Sequence, residues 1–358
     1  MNLFNWWRSL NLSDAIVYAD LNNDDPFVQA RSLYLNFLRK QIGQQKLHES
    51  ARSEHWPLRM VALCCDPFLL KDAPEEHVLW LSAHSSGEPK HHGESLIHRE
   101  QSSSNDELAC NWLKIGFPSF LSVNIIDGSI MVYVPKGAFE MGDDNDKNCA
   151  KHKVYLSGFW MSVYCVTNAQ YAKFIEVTGH RPPNKPKYGT QVWMGKQFSR
   201  EKALHPVLNI SWDDAHEYSL WARCQLPTEA QWEKAAKGPK ELIYPWGNDW
   251  HQEKCNSFHN RGTESIVPVH GYPEGVSSYG CYNLSGNVWE WCADWYGNDY
   301  YHSSIQRDPK GPIHGQMRVL RGGSVGNVDP IAFRCANRGK NNPGDHHDSY
   351  GFRLVRSV

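Results

Sequence analysis

The apolar positions of this chain follow two periods, and the clearest punctuation lies in the C-terminal two-thirds. Early on, Val28, Leu33, Leu35, Phe37 and Leu38 fall at helical spacing and predict an amphipathic helix. The run Leu58–Cys65 is apolar enough for a buried segment, but its period does not choose between strand and helix. A helix starting near Thr167 would bury Tyr171, Phe174 and Ile175 and stop at Gly179. Ser211-Trp-Asp-Asp214 and Thr228-Glu-Ala-Gln231 have the form of capping boxes, where a hydroxyl and the side chain three places on each satisfy a free backbone amide. Ala215, Tyr218, Leu220 and Trp221 supply the apolar face after the first. Trp232, Ala235 and Ala236 do so after the second, with Gly238 as its stop. Met131–Val134, Val288–Trp291, Val319–Arg321 and Phe352–Val355 read as short strands. Helix signals thus alternate with short strands through the second half.

Gln101-Ser-Ser-Ser-Asn-Asp106, preceded by His91-His92-Gly93-Glu94, is a polar stretch of linker character. It suggests a small, mainly helical N-terminal domain over residues 1–110, a connecting segment over 111–125, and one larger domain over 126–358. The formal net charge is -2 with no dense Lys/Arg stripe, so no nucleic-acid partner is expected. No apolar run approaches the ~20 residues that span a bilayer, and the first residues carry no basic, then apolar, leader pattern. A cytoplasmic protein with no membrane partner is the expectation. The ten cysteines include no Cys-x-x-Cys pair and fall mostly in apolar stretches, which predicts reduced, buried thiols rather than zinc ligands. Fifteen tryptophans, concentrated after Trp212, imply a core filled by large rings.

The motifs of residues 126–358 occur in a recognisable order. They are Val132-Tyr-Val-Pro-Lys-Gly137, Phe139-Glu-Met-Gly142, Val166-Thr-Asn-Ala-Gln-Tyr171 and Pro206-Val-Leu-Asn-Ile-Ser-Trp212. Leu226-Pro-Thr-Glu-Ala-Gln-Trp-Glu-Lys-Ala-Ala236, Tyr244-Pro-Trp-Gly247 and Tyr282-Asn-Leu-Ser-Gly-Asn-Val-Trp-Glu-Trp291 follow. Arg318-Val-Leu-Arg-Gly-Gly-Ser324 and Gly351-Phe-Arg353 close the series. Together they resemble the formylglycine-generating-enzyme, or sulfatase-modifying-factor, family, which implies an α+β domain with a C-type lectin fold. The resemblance implies that an early strand lies near the terminal one and closes the domain.

In that family an oxidase activates oxygen at a copper ion held by two cysteines, three and eight residues beyond the serine of Arg-Gly-Gly-Ser. Soft Cu(I) calls for thiolates, and the count from Ser324 gives Asn327 and Ala332. The resemblance therefore implies no copper and a chain that is not an enzyme. His92, His98 and Glu100 are set against the iron motif of the related sulfoxide synthases. Their histidines are six apart, whereas one helical turn is needed to face one metal. A structural Ca²⁺ is implied instead, held by the side chains of Asn283 and Glu290 and the carbonyls of Gly286 and Val288. Hard oxygen donors on a Gly turn suit that ion; the alternative is that both side chains simply hydrogen-bond the loop.

Residues 325–350 resemble the variable region of diversity-generating retroelement target proteins, which share this fold. Reverse transcription there rewrites Asn codons into codons ending in a pyrimidine, which cannot encode Glu, Gln, Trp or Met. The segment contains none of the four. Val325 departs from the Trp usual at its position, and Lys340 is not a product of such a codon; a drifted loop is the alternative. The resemblance implies an exposed ligand-binding face of Asn327, Val328, Asp329, Ile331, Phe333, Gly339, Asp345, His346, His347, Asp348, Ser349 and Tyr350. Phe333, Ile331 and Tyr350 would be its anchors. The ligand, a protein or another molecule, is not specified, and the N-terminal domain is left to dock a protein partner. The rival readings are a ligand-sensing domain of a bacterial conflict or signalling system and a copper-dependent oxidase.

Overall fold

The computed structural model describes residues 121–358 apart from 125, 145–148, 188–190, 262–264 and 358, together with 29, 33, 42–53 and 62. The chain divides into two compact units, Met1–Val123 and Asn124–Val358. In the first, a helix α1 (Gln44–Ala51) is described. The helix expected across 28–38 is described only at residues 29 and 33, both helical. The 101–106 linker and the group His92, His98 and Glu100 lie outside the described residues. No described helix is long and apolar enough to cross a membrane.

The second unit runs β1 (Ile130–Val134), β2 (Gly137–Met141), β3 (His152–Leu156), β4 (Phe159–Ser162), α2 (Asn168–Thr178), α3 (Trp212–Trp221) and α4 (Glu229–Lys237). Strands β5 (Trp289–Trp295), β6 (Arg318–Arg321), β7 (Arg338–Asn341), β8 (Tyr350–Gly351) and β9 (Val355–Ser357) follow. These three helices open on capping boxes, at Thr167 with Gln170, Ser211 with Asp214, and Thr228 with Gln231. Each box satisfies two amides that the first turn leaves without a partner. Gly179 closes α2 at φ 74, where a side chain would be strained. Leu220 departs from the expected apolar face of α3: it is 59% exposed, because Ala215, Tyr218 and Ala222 are the residues turned inward.

Two sheets frame the domain. In one, β4 pairs antiparallel with both β1 and β9, so the early and terminal strands are joined through Phe159–Ser162. In the other the order is β7-β6-β5-β8, antiparallel except for the parallel pair β5 and β8. The strand expected over Phe352–Val355 is split. Phe352 and Leu354 still accept backbone hydrogen bonds from Val166 and Ser162, but Arg353 between them turns its side chain into the core.

The main core gathers Met131, Tyr171, Phe174, Tyr218, Trp291, Leu320 and Phe352 between helices and sheets. Tyr171 stacks on Tyr218 with ring planes 7° apart. Fully burying an apolar side chain of this size contributes about 1.5–3 kcal/mol. The seven described cysteines are all buried, with no disulfide among them.

Buried charges link several of the motifs in space. Glu229 and Glu233 sit one turn apart on α4, and Arg321 of β6 pairs with both while donating to the carbonyls of Cys335 and Ala336. Arg338 meets the Glu229 carboxylate with two parallel bonds of 2.7 and 2.9 Å. A planar guanidinium fits a carboxylate in this bidentate way.

Candidate ligand cleft and the 325–350 segment

Beyond β6 the chain makes a tight turn at Gly322 and Gly323, both at positive φ. Asn327 pins this turn: its Oδ1 accepts from Ser324 N at 2.9 Å, leaving the side chain half-buried. Asp329 is exposed and caps a single 3₁₀ turn, Pro330–Phe333, by accepting from Ile331 N. That turn sends neighbouring side chains in opposite directions. Val328 and Ile331 are 50% and 53% exposed, whereas Phe333 is fully buried. Phe333 stacks on Trp250 at 5.0 Å in a cluster with Tyr244 and Cys255. Its assignment as an exposed anchor is therefore corrected, since a ring in that cluster is part of the packing.

Gly339 is a second correction. It lies on β7, where an added Cβ would sit 3.0 Å from the Trp289 ring, so a side chain there has to displace that ring. It also occupies the edge strand opposite the one bearing Tyr350, which takes it away from the rest of the expected face. Tyr350 itself is half-buried, edge-on to Trp291, with its hydroxyl accepting from Asn341.

Asp345 and His346 are exposed, and His347, Asp348 and Ser349 half-buried. The His347 Nδ1 lies 2.9 Å from both Ser349 Oγ and Asp348 Oδ1. His347, Asp348 and Ser349, together with Val325 and Gly326 of the first loop, line a cleft of about 520 Å³. Pro183, Pro186, Trp193, His205 and Asn209 line it as well. The sequence missed Pro183, Pro186, Trp193 and Asn209 as cleft residues; they lie more than 110 positions before the segment with which they line the cleft. The only signal was the motif Pro206–Trp212, read for fold alone. A concave site of this volume with a few converging polar groups is the usual form of a small-ligand site.

The turn expected to hold calcium lies deeper. Asn283, Gly286 and Asn287 all have positive φ, and a Cβ on Gly286 would sit 2.5 Å from the Asn256 carbonyl oxygen. Asn283 donates to the Val269 carbonyl at 2.8 Å, and its own Oδ1 is buried with no hydrogen-bond donor among the described residues. Glu290 is different. Its carboxylate accepts from Arg353 Nε at 2.6 Å, Arg353 Nη2 at 2.7 Å and Trp232 Nε1 at 2.9 Å, and the Cys165 thiol donates to it at 3.2 Å. Glu290 and Arg353 are both fully buried. A dication ligated by Glu290 would stand beside a guanidinium with no water to screen the repulsion. The donor set Asn283, Gly286, Val288 and Glu290 therefore does not fit Ca²⁺ as drawn: Arg353 already neutralises Glu290. Burial and the Glu290 charge hold the Cys165 thiol well above its ordinary pKa.

At the expected copper positions, Asn327 is engaged with Ser324, and Ala332 packs beside Phe333. Cys335 is fully buried, and burial raises its thiol pKa. Among the described residues no three His, Cys, Asp or Glu side chains converge as metal ligands.

Residues 123–358 match the family described as the sulfatase-modifying factor enzyme 1-like domain. The formylglycine-generating enzyme of Streptomyces coelicolor is 34% identical over 285 residues, covering 63% of this chain and 89% of that enzyme. The serine/threonine-protein kinase pkn1 of Chlamydia caviae is 35% identical over 244 residues, 64% of this chain. The chain spans 38% of that kinase's length. Among solved structures, Treponema denticola variable protein 1 superposes with a TM-score of 0.51 at 22% identity, covering 64% of this chain and 95% of that one. That likeness shows the fold. The expectation that the chain is not an enzyme is overturned by these relatives, which include formylglycine-generating enzymes at 31–34% identity. The absence of thiols at 327 and 332 was too narrow a basis for it. From the ordered motifs, the two framing sheets and the sequence match, the chain belongs to the sulfatase-modifying factor enzyme 1-like family.

Proposed function

We propose that this domain is a ligand-binding protein whose 325–350 segment is the target of a diversity-generating retroelement. The observation that carries the reading is the placement of the segment. Its exposed residues, Val328, Asp329, Ile331, Asp345 and His346, lie on two loops whose bases border one cleft. The residues that resist rewriting, Phe333 and Arg338, are the buried ones that hold those loops. Substitution on an exposed loop costs little, whereas emptying a buried aromatic site costs about 3–5 kcal/mol. The missing Glu, Gln, Trp and Met codons fit the same account. The variable protein from Treponema denticola shares the fold, which supports the analogy. The first unit, on this reading, carries a protein partner.

The test is a library. Val328, Ile331, Asp345, His346 and Asp348 are randomised with pyrimidine-ending codons, and the variants are scored for thermal midpoint and for selected binding to unrelated proteins. Most variants are expected to melt within a few degrees of the parent, and selection is expected to recover new binders. General loss of folding, or no binder from a well-folded library, would contradict the proposal. A second reading, catalysis, is favoured by the 34% identity to the Streptomyces enzyme. Mass spectrometry of a cysteine-bearing peptide incubated with the protein, copper and oxygen separates the two, since aldehyde formation would establish turnover.

A further inference from the structure

Among the residues that line the cleft, His347 is held in a way that fixes what its ring can offer. Its carbonyl accepts from Asn209 N at 3.1 Å and from Tyr350 N at 3.2 Å, and its ring leans on the Tyr350 ring with centroids 5.1 Å apart. Backbone and ring are thus both tied down. Nδ1 is hydrogen-bonded to Ser349 Oγ at 2.9 Å and lies equally close, 2.9 Å, to Asp348 Oδ1. A carboxylate oxygen carries only lone pairs. A lone pair on Nδ1 at that distance would be repelled, whereas a proton there is attracted to both oxygens. In a neutral imidazole one nitrogen carries the proton and the other accepts, which leaves the acceptor lone pair on Nε2. That nitrogen has no hydrogen-bond partner among the described residues, and it is not one of the buried atoms that lack one. The side chain is 41% exposed and belongs to the cleft lining, so a molecule from outside can reach it.

We infer that His347 is a ligand-contacting residue: it is held as the Nδ1–H tautomer, and its Nε2 accepts a hydrogen bond from a hydroxyl or N–H group on an apolar molecule seated in the cleft. Asp348 and Ser349 are positioning residues, which act through the ring and need not touch the ligand. The apolar body of the ligand follows from Pro183, Pro186, Val192, Leu208 and Ile266, which line the same cleft. Small-ligand sites combine such walls with a few placed polar groups. The inference rests on the ligand-binding reading above and adds the chemistry of what is bound.

The full chain carrying ¹⁵N-labelled histidine is studied at about pH 8.5, two units above the ordinary histidine pKa of about 6.5. His347→Ala assigns the ring signals. Without ligand, the ¹⁵N shifts and ring couplings are expected to show Nδ1 protonated and Nε2 bare. The probes are phenol, whose O–H, like that of tyrosine, keeps its proton below about pH 10, and anisole, which has the same ring and no donor. Phenol is expected to move the Nε2 signal upfield saturably and to bind about fivefold more tightly than anisole, the worth of one ordinary hydrogen bond. In the double variant Asp348→Ala, Ser349→Ala, Nδ1 loses both partners. Its tautomer signature should relax to a mixture and the preference for phenol should shrink, while the thermal midpoint stays within a few degrees of wild type. A proton on Nε2 of the neutral wild-type ring, equal binding of the two probes, no response to phenol, or an unchanged tautomer in the double variant would each overturn the inference. Should the double variant fail to fold, the wild-type tautomer and the probe pair still decide it. The retroelement reading fails on a different result, a well-folded library without binders, which leaves the tautomer and the phenol response of the parent chain as they are.

Discussion

Replacing Glu290 by Gln removes one charge from a fully enclosed ion pair of the domain. Glu290 and Arg353 are both fully buried, and the guanidinium also donates to the carbonyls of Ser162, Val163 and Tyr282. Gln preserves shape and one acceptor but leaves Arg353 cationic without a counter-charge. Breaking a buried pair from one side costs about 3–5 kcal/mol. In a domain of this size each kcal/mol moves the thermal midpoint by about 2–4 °C, so a fall of about 6–20 °C is expected. Calorimetry of wild type, Glu290→Gln, Arg353→Met and the double variant measures it. The double variant should lose much less than the two single losses added, because it leaves no orphan charge. The same series decides the metal question. With Arg353 as the counter-ion, a chelator should leave the wild-type midpoint unchanged. A midpoint change under about 2 °C in Glu290→Gln, or a chelator-induced fall that Glu290→Gln abolishes, would refute the assignment.

Phe333→Ala should destabilise the domain by about 3–5 kcal/mol through the cavity beside Trp250, while Ile331→Ser two residues earlier should stay within about 0.5 kcal/mol; urea unfolding of both checks the contrast. Burial raises the Asp294 pKa to about 8, far above an unfolded aspartate, so the folded state keeps a proton that the unfolded chain releases. Stability should therefore fall as pH rises from about 4 towards about 8. Asp294→Asn, melted across that range, should flatten the slope; an unchanged slope would show that Asp294 does not set it.

Much of the frame was legible because its signals are local. Thr167, Ser211 and Thr228 announce their helices within four residues, and each box forms as the spacing implies. The pairing of Glu290 with Arg353 was not legible, since 63 positions separate them and a carboxylate on a Gly turn suits a cation of either kind. Phe333 was misplaced for a related reason. A loop rich in Gly, Asn and Asp reads as uniformly exposed, yet a 3₁₀ turn alternates its directions and buries one ring of the set. The cleft residues Pro183, Pro186, Trp193 and Asn209 come from the connection before α3, where nothing in the local pattern marks a binding surface.

The central claim, that the exposed loops are rewritten by templated diversification, is tested most directly by sequencing the DNA around the coding region. The account predicts a near-copy of the stretch encoding residues 325–356, with adenines at the codons for Val328, Asp329, Ile331, Asp345 and His346, beside a reverse transcriptase gene. Codons for the buried Phe333 and Arg338 should match between the copies. A complete locus with no such repeat, or a repeat whose adenines fall on the buried positions, would contradict it.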